Sequence, residues 1–189
     1  EGVIGYDRII KMLTVADGEI VVEQKGIYSI EKFLIARRLM YWQVYLHKTA
    51  LAAEQMLIRC LQRARDLASR GATLEVSPSL RFFLYEEIPT AELLEDTDLL
   101  LWHFSRLDDV DILAALKQFV EDEDKLLAFL ARSILNRRLF RVELQNEPFS
   151  HQYIEEIRRL VAEYFNLNVE ESHYLLLHGT ETNTAYSTS

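Results

Sequence analysis

The stretch Arg37-Arg38-Leu39-Met40-Tyr41-Trp42-Gln43-Val44-Tyr45-Leu46-His47-Lys48 decides the fold, because it lies at the centre of a helical pattern over residues 29–70. At about 100° per residue, Arg37, Tyr41, Tyr45 and Lys48 fall within roughly 80° of one another on one helix face. Apolar side chains cover much of the remaining circumference. A helix that is apolar nearly all round is usually buried, so we expect this cationic and phenolic stripe to face a partner, a cleft or a ligand.

The stripe also has a plainer interpretation. Arginine and tyrosine side chains at the edge of a core often extend to solvent or pair with carboxylates. This chain has 30 acidic residues, so such pairing is available. Periodicity alone leaves both interpretations open.

Composition limits the class of protein. With 189 residues, of which 49% are hydrophobic and 11% aromatic, the chain is long enough for one ordinary domain or two small ones. The formal net charge is −9 and the pI is near 5.1. We therefore expect no membrane association and no specific nucleic-acid binding, because 30 acidic groups outweigh 21 basic ones. A local basic pocket for phosphates is compatible with this balance.

The single cysteine, the lack of a long apolar run and the ends of the chain each lead to an expectation. The single cysteine, Cys60, lies in a helical pattern and has no disulfide partner in the chain, so we expect a small core residue in a protein of the reducing cytoplasm. No apolar run approaches the roughly 18 residues that span a bilayer. The chain opens at Glu1 and closes on a polar string, so we interpret it as a piece of a longer protein.

The first part of the chain predicts a hairpin followed by long helices. Residues 9–15 and 19–23 are β-prone and flank Asp17-Gly18, a pair that favours a tight hairpin turn. Ser29 is the predicted N-cap of the long helix, which we expect to bend or break near residues 47–49. Gly71 predicts its C-terminal end.

The remainder predicts a helical segment and a small α/β element. Two or three shorter helices are expected: one over residues 90–97 or running on to 104, one over 108–121 and one over 123–137. Asp108, Asp109 and Asp111 are interpreted as capping carboxylates in a first helical turn. Strands are expected over residues 139–144 and 173–178, on either side of a helix over residues 150–166 that Ser150 caps. The predicted fold class is therefore mainly α (α+β), divided into residues 1–71, 72–137 and 138–189.

A family resemblance depends on Arg37-x7-Tyr45-x-His47-Lys48 and on the run Gly26-Ile27-Tyr28-Ser29-Ile30-Glu31-Lys32-Phe33-Leu34-Ile35-Ala36-Arg37-Arg38 before it. This region resembles the segment that follows the catalytic core of HD-domain phosphohydrolases, and the pattern is most similar to deoxynucleoside triphosphate triphosphohydrolases. The resemblance implies that residues 1–71 complete an HD-type catalytic domain. It covers residues 2–70 well and the rest loosely.

The resemblance also implies where the metal chemistry lies. HD phosphohydrolases hold a divalent metal with a His, a His-Asp dipeptide and a later Asp, and the present sequence contains no His-Asp dipeptide. In the family, the last of these ligands lies upstream of the position of Glu1. We therefore expect the metal site in the preceding part of the parent protein, with no metal ligand and no catalytic residue in this chain.

The resemblance implies roles for six side chains, and Tyr41, which shares the helix face of Arg37 and Tyr45, is a further residue expected to contact substrate. Arg37 matches the phosphate-contacting arginine of the family and Tyr45 the tyrosine that packs on deoxyribose, while Tyr41 lies beside them on the stripe. Positions of effector-nucleotide contacts between subunits match Arg8, Lys25, His47 and Lys48. The expected partners are deoxynucleoside triphosphates and further copies of the chain in a dimer or larger oligomer. The alternative is a non-catalytic helical interaction module, in which the same arginine and tyrosines form an interface hot spot.

Overall fold

The computed structural model describes residues 5–86 and 97–179. They belong to two compact units, the first containing residues 5–50 and the second running from Leu51 to Gly179. Most described residues are helical, and a two-stranded antiparallel sheet lies near the N-terminus. The mainly α fold class is thereby confirmed. The three-part division by sequence stays a prediction.

The predicted hairpin forms from β1 (Leu13–Ala16) and β2 (Glu19–Val22). Its turn residues Asp17 and Gly18 have φ angles of 54° and 81°, because a two-residue hairpin loop of this kind needs positive φ at both positions. The first strand is shorter than predicted, since Tyr6–Lys11 form helix α1.

Gly26 closes the hairpin onto the following helix. It ends a 3-10 turn (Gln24–Gly26) and is the one buried residue among residues 5–50. A Cβ at this position would lie 2.8 Å from the Met12 Cβ and 2.9 Å from the Val22 Cγ1, so only glycine permits this close approach. Helix α2 (Ile27–Met40) begins directly after it. The prediction of Ser29 as N-cap is wrong, because the N-cap position is Gly26, three residues earlier, where the 3-10 turn leads into the helix.

The predicted long helical unit consists of α2, a π-helical turn (Tyr41–Tyr45) and α3 (Lys48–Ser69). The predicted break is confirmed, with the chain leaving regular helix at Leu46 and His47. Helix α3 ends as predicted before Gly71, whose φ is 87° and whose N–H donates to the Ala68 carbonyl at 3.0 Å.

The second unit contains the hydrophobic core. One face of α3 contributes a buried stripe at helical spacing: Ala52, Met56, Cys60, Ala64 and Ala68. The last three of these residues join apolar side chains of α4 (Pro78–Tyr85), α6 (Asp109–Phe119) and α7 (Lys125–Leu135) in one buried cluster. Cys60 is buried there, as predicted.

Helix ends in the second unit have side-chain caps that satisfy backbone N–H groups. Asp108 accepts from the N–H groups of Val110 and Asp111 in a reciprocal capping box, which confirms the capping role of this acidic run. Ser150 caps α8 (His151–Phe165), also as predicted. Helix α5 (Thr97–Arg106) agrees with the longer of the two extents predicted for the helix that starts near residue 90, and residues 90–96 of that prediction lie outside the described part of the chain.

The two predicted C-terminal strands are wrong. Residues 139–144 are irregular, and the Phe140 N–H donates to the Met56 Sδ at 3.2 Å instead of to a neighbouring strand. A 3-10 turn (Glu171–Tyr174) occupies the start of the second predicted strand. There Tyr174 and Leu175 are both buried, whereas consecutive residues of a strand point to opposite faces. Of the predicted β-α-β element, the structure contains the helix alone.

Among the described residues, each helix is too short or too polar to cross a lipid bilayer.

Candidate functional site

The predicted stripe is a continuous row of side chains along α2 and the π-helical turn. The guanidinium carbon of Arg37 lies 5.8 Å from the centre of the Tyr41 ring. The rings of Tyr41 and Tyr45 are 5.2 Å apart and inclined by 53°. The structure therefore brings together the three residues predicted to contact substrate.

The π-helical turn sets the spacing of the two tyrosines. The Leu46 N–H donates to the Tyr41 carbonyl at 2.8 Å, which is the i to i+5 bond of a π-helix. Single π-turns inside helices are frequent at functional sites, because they change the direction of side chains relative to an α-helix. Lys48 lies beyond this turn, exposed at the first residue of α3.

The chemistry of the row suits a phosphorylated ligand. A guanidinium presents several N–H donors in a plane and binds two phosphate oxygens at once, while phenol rings offer an apolar face and a polar tip. Arg37 and Tyr45 are exposed and Tyr41 is half-buried, so the row is accessible in the chain described here.

The surroundings of the row are apolar and uncovered. No residue of α2 or the π-helical turn is buried. This differs from the expectation of a buried helix, because among residues 5–50 only a short hairpin and α1 are available to cover it. Large apolar side chains are exposed along these two elements: Ile27, Tyr28, Leu34, Ile35, Leu39, Met40, Trp42 and Val44.

The four predicted effector residues lie on successive elements of the first unit. Arg8 is exposed on α1, and Lys25 pairs with Glu23 at 2.7 Å. The Nδ1 atom of His47 accepts from the Thr49 N–H at 3.2 Å and so caps the start of α3, where Lys48 is the first residue. Within the described residues, no side-chain contact joins any two of these four.

The second unit contains a buried charged network that was not predicted. Arg63 donates to both carboxylate oxygens of Asp124, at 3.1 and 2.7 Å, and pairs with Glu171 at 3.1 Å. Its guanidinium carbon lies 5.2 Å from the centre of the Tyr174 ring, and the Tyr174 hydroxyl donates to Asp66. The network connects α3, the N-terminus of α7 and the C-terminal 3-10 turn.

The electrostatics of this network follow from burial and charge. The hydrogen bond from Arg63 to Asp124 raises the pKa of the guanidinium despite its burial. Burial alone would raise the pKa of Asp124, but the bonds from Arg63 and from the Leu127 N–H bring that pKa below its ordinary value. Burial and the bond to Asp66 raise the pKa of Tyr174. The sequence contains one local indication of this network: Arg63 falls on the apolar face of the α3 helical pattern.

The described part of the chain contains neither a metal-binding cluster nor a reactive cysteine. No three His, Cys, Asp or Glu side chains converge there in a way that would hold a metal ion. Burial raises the pKa of the Cys60 thiol to about 12, so this cysteine is inert at neutral pH.

The part of the chain that contains the row of Arg37, Tyr41 and Tyr45 is similar to a known protein family. Residues 4–75 match the family model of the HD associated region. This stretch includes the whole row from Arg37 to Tyr45, and the match supports the HD-phosphohydrolase family that the resemblance implied.

A solved structure and two curated proteins are similar over more of the chain. A phosphohydrolase from Bacteroides thetaiotaomicron, known from a crystal structure at 2.20 Å resolution, is 49% identical, with a TM-score of 0.86 over 92% of this chain and 44% of that chain. The uncharacterized protein YwfO of Bacillus subtilis is 28% identical over 93% of this chain and 38% of its own length. The uncharacterized protein MJ1154 of Methanocaldococcus jannaschii is 28% identical over 64% of this chain and 32% of its own length. The chain thus spans less than half the length of each relative.

Proposed function

We propose that this chain is part of a metal-dependent HD-type phosphohydrolase that hydrolyses deoxynucleoside triphosphates to a deoxynucleoside and inorganic triphosphate. The proposal depends on one observation: Arg37, Tyr41 and Tyr45 form a continuous accessible row within the residues that match the HD associated region. The 49% identity to a phosphohydrolase supports the same reaction class.

In this proposal each side chain of the row has a distinct role. Arg37 binds phosphate oxygens and stabilises the negative charge of the departing triphosphate. Tyr45 packs on the sugar and leaves little room for a 2′-hydroxyl, which favours a deoxyribose. Tyr41 supports both, because its ring contacts the guanidinium of Arg37 and the ring of Tyr45.

The metal of this reaction requires residues from the rest of the parent protein. The described residues lack a cluster of three metal-binding side chains, so they do not fit a metal site of their own. We propose that the parent supplies the metal ligands and covers the exposed apolar side chains of α2.

The substitution Arg37→Ala in the full-length protein tests the role of the row. A charge-assisted hydrogen bond contributes about 1.5–3 kcal/mol, so we expect kcat/KM for deoxynucleoside triphosphates to fall about tenfold or more. The matched control is Arg38→Ala, which removes a neighbouring exposed arginine about 100° away on the same helix. Steady-state kinetics should show a change of less than about twofold for this control. Equal effects of the two substitutions would contradict the phosphate role.

A second candidate function is a non-catalytic helical interaction module. The exposed apolar side chains along α2 and the π-helical turn favour it, since uncovered apolar surface of this extent marks an interface. Two observations separate the candidates: binding of a deoxynucleotide to the intact parent, and a His-Asp pair upstream in the full gene. Absence of both would favour the interaction module.

We also propose that the parent forms a homo-oligomer in which Arg8, Lys25, His47 and Lys48 bind an effector nucleotide. Three of these residues lie at joints between elements, where a bound phosphate would fix the angle between them and favour one assembly. Light scattering and kinetics of the full-length protein, with and without deoxynucleotide mixtures, address this proposal. A monomer with hyperbolic kinetics would contradict it.

A further inference from the structure

The outer face of α8 carries an apolar row that the proposed phosphohydrolase function does not use. Tyr153, Ile157, Leu160 and Tyr164 follow one another at intervals of four, three and four residues. At about 100° per residue they fall within roughly 60° of one another, which is the spacing of a coiled-coil seam. Tyr153, Leu160 and Tyr164 are exposed, the last to 84%.

Contacts at both ends hold this row in place. The Tyr153 hydroxyl donates to Glu143 at 2.9 Å, and its ring stacks on Phe149 at 5.7 Å. At the other end, the Tyr164 ring packs edge-on against Phe165 at 5.0 Å, and Phe165 in turn packs on Phe129 of α7 at 4.9 Å. A partner would therefore meet a surface that is largely formed beforehand, which lowers the entropic cost of binding.

An open groove of about 580 Å³ lies along the C-terminal half of the row. Its lining is apolar apart from one carboxylate, and consists of Ile157, Leu160, Val161, Glu163, Tyr164 and Phe165. On the side turned to the core, Val161 and Phe165 form its wall. On the solvent side, the two positions next to the row are both acidic, Glu156 and Glu163.

The acidic rim determines which kind of helix fits. In an antiparallel pairing of α8 with a second copy, Glu156 of one chain would lie near Glu163 of the other, and like charges at such flanking positions disfavour pairing. A helix with lysine or arginine beside its apolar residues would pair with both carboxylates. The net charge of −9 also favours the approach of a cationic partner.

We propose that the outer face of α8 binds an amphipathic helix of another protein, in which basic residues flank an apolar row. Leu160 and Tyr164 supply the apolar contact, and Glu156 and Glu163 select the charge of the partner. This assignment goes beyond the proposed phosphohydrolase function and does not depend on it.

Two synthetic helical peptides test the proposal on the full-length protein. Both carry leucines at intervals of four, three and four residues. One has lysines and the other has glutamates at the flanking positions. Fluorescence anisotropy should show that the lysine peptide binds about tenfold more tightly than the glutamate peptide. The difference is modest because each exposed ion pair with Glu156 or Glu163 contributes little to the binding free energy, and so does each repulsion that is removed. Leu160→Asp should abolish binding of the lysine peptide.

A charge-reversed variant separates this surface from nonspecific attraction and from loss of folding. Glu156→Lys combined with Glu163→Lys should invert the preference, so that the glutamate peptide binds more tightly. The matched control Glu147→Lys, in an exposed loop, should leave the preference unchanged. Circular dichroism should show the same helix content in all variants. Equal binding of the two peptides, no binding of either, or a dimer that Leu160→Asp dissociates would each overturn the proposal.

Discussion

Arg63 illustrates, at the scale of a single residue, how a charge is accommodated inside an apolar core. Its side chain is 6% exposed and is satisfied by Asp124, Glu171 and the face of Tyr174. Asp124 also caps α7 by accepting from the Leu127 N–H at 2.8 Å. One carboxylate therefore fixes the start of a helix and neutralises a buried cation, so removing either partner affects both.

The substitution Arg63→Met should lower the free energy of unfolding by about 2–3 kcal/mol at neutral pH. Removing one partner of a buried pair costs about 3–5 kcal/mol, and the 19% exposure of Asp124 moderates this value. Chemical denaturation followed by circular dichroism measures the change. The matched control is Arg65→Ala, an exposed arginine on the same helix, for which we expect less than about 0.5 kcal/mol.

The difference in the free energy of unfolding between wild type and Arg63→Met should also depend on pH. The pKa of Asp124 is lower in the folded chain than its ordinary value of 3.8, so its contribution is present above that value and is lost as pH falls through the folded pKa. The two proteins should therefore become more alike in stability as the pH is lowered below about 4. A difference that stayed constant into strong acid would show that lost packing, and not the ion pair, causes the destabilisation.

At the scale of elements, the parts predicted correctly were those with local signals. Asp17-Gly18 specifies a hairpin turn, Gly71 ends a helix, and Asp108 and Ser150 begin helices through their own side chains. A strand, in contrast, forms only if another strand lies beside it. Residues 139–144 are rich in apolar residues typical of a strand, but no strand in the described part of the chain pairs with them, and the Phe140 N–H donates to Met56 of α3 instead.

The close packing of the hairpin on α2 depends on Gly26. Gly26→Ala should destabilise the contact between them by about 1–3 kcal/mol, because the added methyl group would overlap side chains of Met12 and Val22. Hydrogen exchange measured by mass spectrometry should show faster exchange of the amides in β1 and β2. Gly5→Ala is the control, since its Cβ would meet the Arg8 Cβ at an ordinary 3.9 Å. Unchanged exchange in Gly26→Ala would contradict the packing argument.

At the scale of the whole molecule, the candidate site was predictable and the buried network was not. Arg37, Tyr41 and Tyr45 lie within nine consecutive positions, so helical spacing alone placed them on one face. The partners in the network are 61 residues apart for Arg63 and Asp124, and 108 for Asp66 and Tyr174. No local pattern connects such distant residues, because the tertiary packing of the second unit brings them together.

The two units differ in a way that predicts their behaviour when separated. The second unit has a continuous buried core and its own charged network, whereas among residues 5–50 only Gly26 is buried. A hairpin and short helices without a core do not offset the conformational entropy of ordering the chain. We therefore expect a polypeptide of residues 48–179, which keeps α3 whole, to fold alone, and one of residues 1–47 to stay unfolded.

Circular dichroism and amide NMR spectra of the two polypeptides check this expectation. Residues 48–179 should give a helical spectrum, dispersed amide signals and a single cooperative unfolding transition, as a small domain with one core does. Arg63→Met should lower the midpoint of that transition, because all partners of Arg63 lie within this polypeptide. Residues 1–47 should give the spectrum of an unfolded chain. Folded residues 1–47 or unfolded residues 48–179 would contradict the argument, since either result would show that burial within each unit does not determine its stability.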